Sequence, residues 1–209
     1  MRARPISPEL LVEHVADAID ESPRDRRIAV AVDGAPPAGA DQLAELLVNE
    51  LRLRGRSAVH VSAHDYLRPA SLRLELGRED PDLFYTDWFD LRAIEREVLD
   101  PIGPDGSGRV LPKLWDSEAD RAYRAQYVEL KPGGVVLLDG PFLIGAGLAF
   151  DLTVHLSVSS AALARHTADE DAWTLPAYAR YEQEQNPLET ADIAVRCDDP
   201  KHPALVTRN

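Results

Sequence analysis

Four segments of the chain are apolar along nearly their whole length: residues 27–32, 57–62, 135–138 and 152–158. A strand with one wet face alternates apolar and polar positions, whereas a strand covered on both faces does not. The spacing therefore predicts strands of a mainly parallel, doubly covered sheet, with a shorter strand at 192–196. Between them the apolar period lengthens to that of helices. Ser7 followed by Pro8 reads as an N-cap and first-turn proline for a helix over 8–20. Leu43, Leu46, Leu47 and Leu51 mark one face of a second helix that ends at Gly55. Asp90 reads as the cap of a helix to Leu99 carrying Ile94 and Val98, and a further helix is expected over 175–185. The turn-rich run 104–108 precedes residues 110–114, which read as a short strand. Strands alternating with helices predict an α/β fold, and 209 residues without repeat or low-complexity linker predict one domain over 1–209.

Charge narrows the partners. A formal net charge of −13 disfavours nucleic acid and anionic membrane surfaces, which need basic patches. Cys197 is the only cysteine, which excludes an internal disulfide and a cysteine metal cluster. The sequence offers no run long enough to cross a bilayer and no signal-type hydrophobic segment after Met1-Arg2-Ala3-Arg4-Pro5, so a cytoplasmic location is expected.

Candidate chemistry begins where the first strand ends. In Val32-Asp33-Gly34-Ala35-Pro36-Pro37-Ala38-Gly39-Ala40-Asp41, Gly34 and Gly39 have the spacing of a phosphate-binding loop between a strand and a helix. In such a loop the next two residues are a lysine that reaches the β/γ-phosphates and a Ser or Thr that holds Mg²⁺. Here they are Ala40 and Asp41, and Pro36 and Pro37 remove two backbone donors from the turn. Read alone, the segment is equally a Gly/Pro turn between a strand and a helix.

Four further segments fall in the order carried by uridine kinase-like P-loop kinases. Ser62-Ala63-His64-Asp65-Tyr66-Leu67-Arg68-Pro69 resembles that family's Ser-x-Asp-Asp-Phe-His-x-Pro. Residues 77–90, ending Phe84-Tyr85-Thr86-Asp87-Trp88-Phe89-Asp90, resemble its Arg-Gly-x-x-Ser-Pro-x-x-Tyr-Tyr-x-Asp-x-Phe-Asp. Leu99-Asp100-Pro101-Ile102-Gly103-Pro104 is similar to Leu-Asp-Pro-Leu-Gly-Pro, and Asp139-Gly140-Pro141-Phe142-Leu143 to Asp-Gly-x-Phe-Leu. The resemblance spans about residues 27–206 and implies a three-layer P-loop NTPase-like fold with a short helical lid, here about 164–186.

What the resemblance implies for the site follows residue by residue. The substrate base of the family falls on His64, with Asp65 beside it; the ribose-binding acid falls on Asp90, with Tyr85 and Phe89 as an aromatic wall. Asp139 occupies the position of the acid that assists Mg²⁺, and Arg165 is the candidate lid cation. Each also has a plain reading: Asp90 as a helix cap, the aromatics as core, His64 and Arg165 as solvated side chains. Because the loop lacks its cation and hydroxyl, the expected function is a uridine kinase-like protein impaired in ATP binding and phosphoryl transfer, retaining a nucleoside-like small-molecule ligand. The alternative is an active kinase that uses ATP and Mg²⁺ to phosphorylate a primary hydroxyl; an inactive protein would need neither cofactor.

Overall fold

The computed structural model describes residues 2–207. Its elements in chain order are β1 (Arg2–Pro5), α1 (Pro8–Asp20), β2 (Ile28–Gly34), α2 (Ala40–Leu53), β3 (Ala58–Ser62), α3 (Pro81–Thr86) and α4 (Leu91–Ile94). Then come β4 (Val135–Gly140), β5 (Leu152–Ser157), α5 (Ser160–His166), α6 (Leu175–Gln185), β6 (Ile193–Arg196) and β7 (Ala204–Thr207). The seven strands form one sheet in the order β1-β7-β6-β5-β2-β4-β3. All pairs from β6 through β5, β2 and β4 to β3 are parallel, and β7 and β1 add an antiparallel edge.

The central strand β2 divides its side chains by size. Ile28, Val30 and Val32 of β2 enter the core layer shared with α1 and α2, while Ala29 and Ala31 face the opposite layer. All seven residues of β2 are buried, which accounts for the absence of alternation in its sequence. On one side Leu11, Val15 and Ile19 of α1 and Leu43, Leu47 and Leu51 of α2 complete the core; Leu46 is half exposed. The Ser7 hydroxyl accepts from the Leu10 amide at 3.3 Å, and Gly55, at φ 76°, ends the α2 connection in the left-handed region.

On the other side, α3 and α6 pack an aromatic layer around Phe142. Its ring centroid lies 5.3 Å from Phe84, 5.1 Å from Tyr85, 5.0 Å from Tyr178 and 5.3 Å from Tyr181. Phe142 itself holds φ at 65°, a conformation side chains rarely adopt and one that packing from several sides must sustain. The expected strand over 110–114 is two separate pairings, Arg109–Val110 with Val128–Glu129 and Trp115–Asp116 with Arg121–Ala122. Pro112 interrupts it, having no amide for a ladder. The helix expected to reach Leu99 does so by widening into a π turn over Glu95–Leu99.

Candidate functional site

The connection leaving β2 runs through α2 on one face of the sheet and that leaving its neighbour β5 runs through α5 and α6 on the other, so the carboxyl ends of β2 and β5 flank a topological switch point. The register brings Asp33 level with Gly140 of β4 and His155 of β5, and Asp139 level with Val32 and Ser62. The crevice that such sheets use for ligands is thus bordered by Asp33, Gly34, Asp139 and His155.

The loop beyond Gly34 is closed on itself. Residues Pro36–Ala38 form a single 3-10 turn, in which the Ala38 amide donates to the Ala35 carbonyl at 2.8 Å and the Gly39 amide to the Pro36 carbonyl at 3.2 Å. Pro36 and Pro37 have no amide hydrogen. Four donors that a phosphate nest would aim at an anion are therefore missing or already bonded. Gly39 is needed for its φ of 76°, and Gly34 because a Cβ would stand 3.0 Å from the Leu156 carbonyl oxygen. Ala40 is buried, and Asp41 is exposed on the first turn of α2, where its charge reaches His60 and His64.

Asp139 is buried and already engaged. Its Oδ1 lies 2.6 Å from His60 Nε2, and its Oδ2 accepts from the Ser62 hydroxyl at 3.3 Å. Burial pulls the His60 imidazole down, but the hydrogen bond and charge of Asp139 outweigh it and raise the value above that of a free histidine. His64 packs edge-on to Phe89 at 5.7 Å, and Asp65 pairs with Lys113 at 3.3 Å. Asp90 caps α4 by accepting from the Ala93 amide at 3.0 Å. Arg165 is exposed on α5. Tyr85 and Phe89 do share a small pocket of about 270 Å³, with Phe142, Arg180 and Glu184. Neither Asp65, Asp90 nor Arg165 lines it. Arg180 is held by Asp82 at 2.9 Å and Glu184 at 2.7 Å over the Tyr85 ring.

A cavity of about 700 Å³ lies between the carboxyl ends of β2 and β5 and the helix α6. Phe142, Leu156, Leu163, Leu175 and Tyr178 supply apolar wall, and the described lining residues include no lysine or arginine. At its floor is a polar cluster that the sequence reading missed. Asp33 is fully buried and accepts three hydrogen bonds: from the Leu143 amide at 2.8 Å, the Tyr181 hydroxyl at 2.9 Å and His155 Nδ1 at 2.6 Å. The Tyr181 hydroxyl in turn accepts from the Ile144 amide at 3.2 Å. His155 Nε2 is buried without a hydrogen-bond partner; Glu182 Oε1, on the half-exposed outer turn of α6, stands 3.5 Å away. Burial disfavours the imidazolium, yet the two carboxylates overcome this and hold His155 up at about 9. Burial and the adjacent Asp33 carboxylate push the Tyr181 phenol far above its usual value, so it stays a donor. The signal in the sequence was a histidine inside an otherwise apolar strand, next to an acid closing another.

The residues present do not fit ATP and Mg²⁺. Position 40 supplies no cation, position 41 supplies a carboxylate instead of a hydroxyl, and Asp139 is paired with His60. The three lysines lie elsewhere: Lys113 on Asp65, Lys131 before β4 at the opposite end of the sheet, and Lys201 in the turn at Asp199.

The folded chain is similar to solved structures of kinases. A possible uridine kinase from Bacillus stearothermophilus superposes with a TM-score of 0.71 at 20% identity, over 89% of this chain and 98% of that one. The YGR205w protein gives 0.62 at 12% identity, over 95% and 97%. A candidate fructose transport system kinase from Silicibacter sp. gives 0.57 at 20% identity, over 89% and 95%. No family model and no curated protein matches the sequence. The likeness shows that the chain has the fold of uridine kinase-like P-loop kinases.

Proposed function

We propose that this protein is a uridine kinase-like scaffold that has lost ATP handling and phosphoryl transfer and serves to bind a small organic molecule. One observation carries the reading: the loop at 34–39 is a self-bonded 3-10 turn followed by Ala40 and Asp41. In phosphoryl transfer the protein contributes mainly positioning and electrostatic stabilisation. Removing one preorganised donor from such a site costs ~3 kcal/mol. Here a cation, a metal ligand and several amides are absent together, and Asp41 adds a repelling charge.

The retained Asp139, at the carboxyl end of a central strand, favours a second reading as an active kinase for a primary hydroxyl. In that reading His64 or Asp65 would take the hydroxyl proton, Tyr85, Phe89 and Asp90 would hold a nucleoside-like substrate, and Arg165 would swing over the phosphate. Calorimetric titration with ATP, with and without Mg²⁺, separates the two. The first reading expects no binding tighter than ~10 μM, about −7 kcal/mol. Tighter, Mg²⁺-dependent binding would overturn it in favour of the kinase.

A further inference from the structure

We infer that the cavity beneath the helix α6 is a binding site for a monocarboxylate with an apolar body, whose carboxylate takes the place of Glu182 against His155 Nε2. The inference rests on the reading that the crevice no longer receives ATP, and it names what the crevice takes instead.

His155 holds a donor without a hydrogen bond. His155 is among the residues lining the cavity; its side chain is 3% exposed, its Nδ1 is fixed on Asp33, and its Nε2 is buried without a hydrogen bond. A buried donor left unpaired costs more than a formed bond returns, so an acceptor arriving there is strongly rewarded. The chain itself indicates which acceptor suits the atom. Glu182 Oε1 stands 3.5 Å from Nε2 as a loose ion pair without a hydrogen bond, from a side chain that is 44% exposed. A ligand carboxylate seated inside the cavity would make at bonding distance the contact Glu182 makes loosely from its rim.

The charge inventory limits the ligand to one negative charge. His155 is the only lining residue among those described that can carry a positive charge, and it stands between Asp33 and Glu182, so a ligand that replaces Glu182 can bring one negative charge and no more. A diphosphate or triphosphate would meet no lysine or arginine there, and would face Asp33 and Glu182. The remaining wall is apolar and aromatic, and about 700 Å³ falls within the range of small-molecule sites. An apolar chain or ring fills that wall while the carboxylate reaches the floor.

The test uses octanoate as the probe and octanol as its uncharged counterpart, measured by calorimetry on the full chain. Parallel ATP·Mg²⁺ titrations on the same preparations report separately on the loss of nucleotide binding. Octanoate is expected to bind, and octanol to bind at least about tenfold more weakly, as expected for a charge-assisted bond. Glu182→Gln removes the competing anion from an exposed position and should tighten octanoate about three- to fivefold, leaving octanol unchanged. His155→Gln should weaken octanoate to the level of octanol; if that variant does not fold, Glu182→Gln decides alone. Equal affinities for octanoate and octanol in parent and Glu182→Gln, or no octanoate binding, would overturn the inference whatever ATP does.

Discussion

Asp33 and His155 sit level on neighbouring parallel strands, so the fold itself holds their side chains together. Because both are buried, their partnership has a signature in pH. The folded value of His155 is raised to about 9 from 6.5, so its stabilising contribution is complete below about pH 6.5 and is lost as pH rises through about 9. The groups facing it are Asp33 from β2, and Tyr178, Tyr181 and Glu182 from α6. Burial and nearby acids push both tyrosines well above their usual range, so neither titrates inside that window. The parent should therefore lose thermal stability between about pH 7 and pH 10 more steeply than His155→Gln. Parallel slopes would mean that the imidazole is neutral in the folded chain. The sequence carried only a faint sign of this pairing, since Asp33 looked like a loop residue and His155 like one polar position in a strand. Register, which no local pattern encodes, is what joins them. Arg165 is exposed on α5, which agrees with the plain reading the sequence offered beside that of a lid cation.

At the scale of elements, the apolar runs located the parallel strands to within one or two residues, because burial on both faces leaves an unmistakable composition. That Ala40 and Asp41 follow Gly39 could be read from the sequence, but the backbone of the loop could not. The turn that ties the Ala38 and Gly39 amides to the Ala35 and Pro36 carbonyls decides what a repair requires. Ala40→Lys with Asp41→Thr supplies a cation and a hydroxyl but frees no amide. That double variant should bind ATP no tighter than ~1 mM, about −4 kcal/mol. Adding Pro36→Ser and Pro37→Gly restores two donors and relaxes the fixed φ that favours the tight turn. The fourfold variant should then give a measurable calorimetric signal with Mg²⁺, provided circular dichroism shows the parent's fold. If the double variant alone binds ATP well below 1 mM, side-chain charge rather than loop geometry was the deficit.

At the scale of the molecule, a net charge of −13 opposes any polyanionic ligand before it reaches the crevice, reinforcing locally what Asp41 and Glu182 do. The same scale contains the two strands that the sequence concealed. Arg2–Pro5 alternates charge with small residues and Ala204–Thr207 is only four residues long, so neither stands out as a strand until the other is beside it. Their antiparallel pairing closes the sheet over β7, whose Leu205 and Val206 are buried. An exposed β7 would present unpaired amides and carbonyls to another copy, whereas β1 ends the sheet with Arg2, Arg4 and Pro5, residues that resist edge-to-edge pairing. Removing residues 2–5 should therefore do two things at once. Thermal unfolding should fall by roughly 2–8 °C, taking a loss of about 1–2 kcal/mol at 2–4 °C per kcal/mol for a chain of this size. Size-exclusion chromatography with light scattering should show larger species than the parent, increasing with concentration, as β7 finds a partner outside its own chain. A truncated protein with the parent's mass and midpoint would mean that β1 neither stabilises the sheet nor guards its edge.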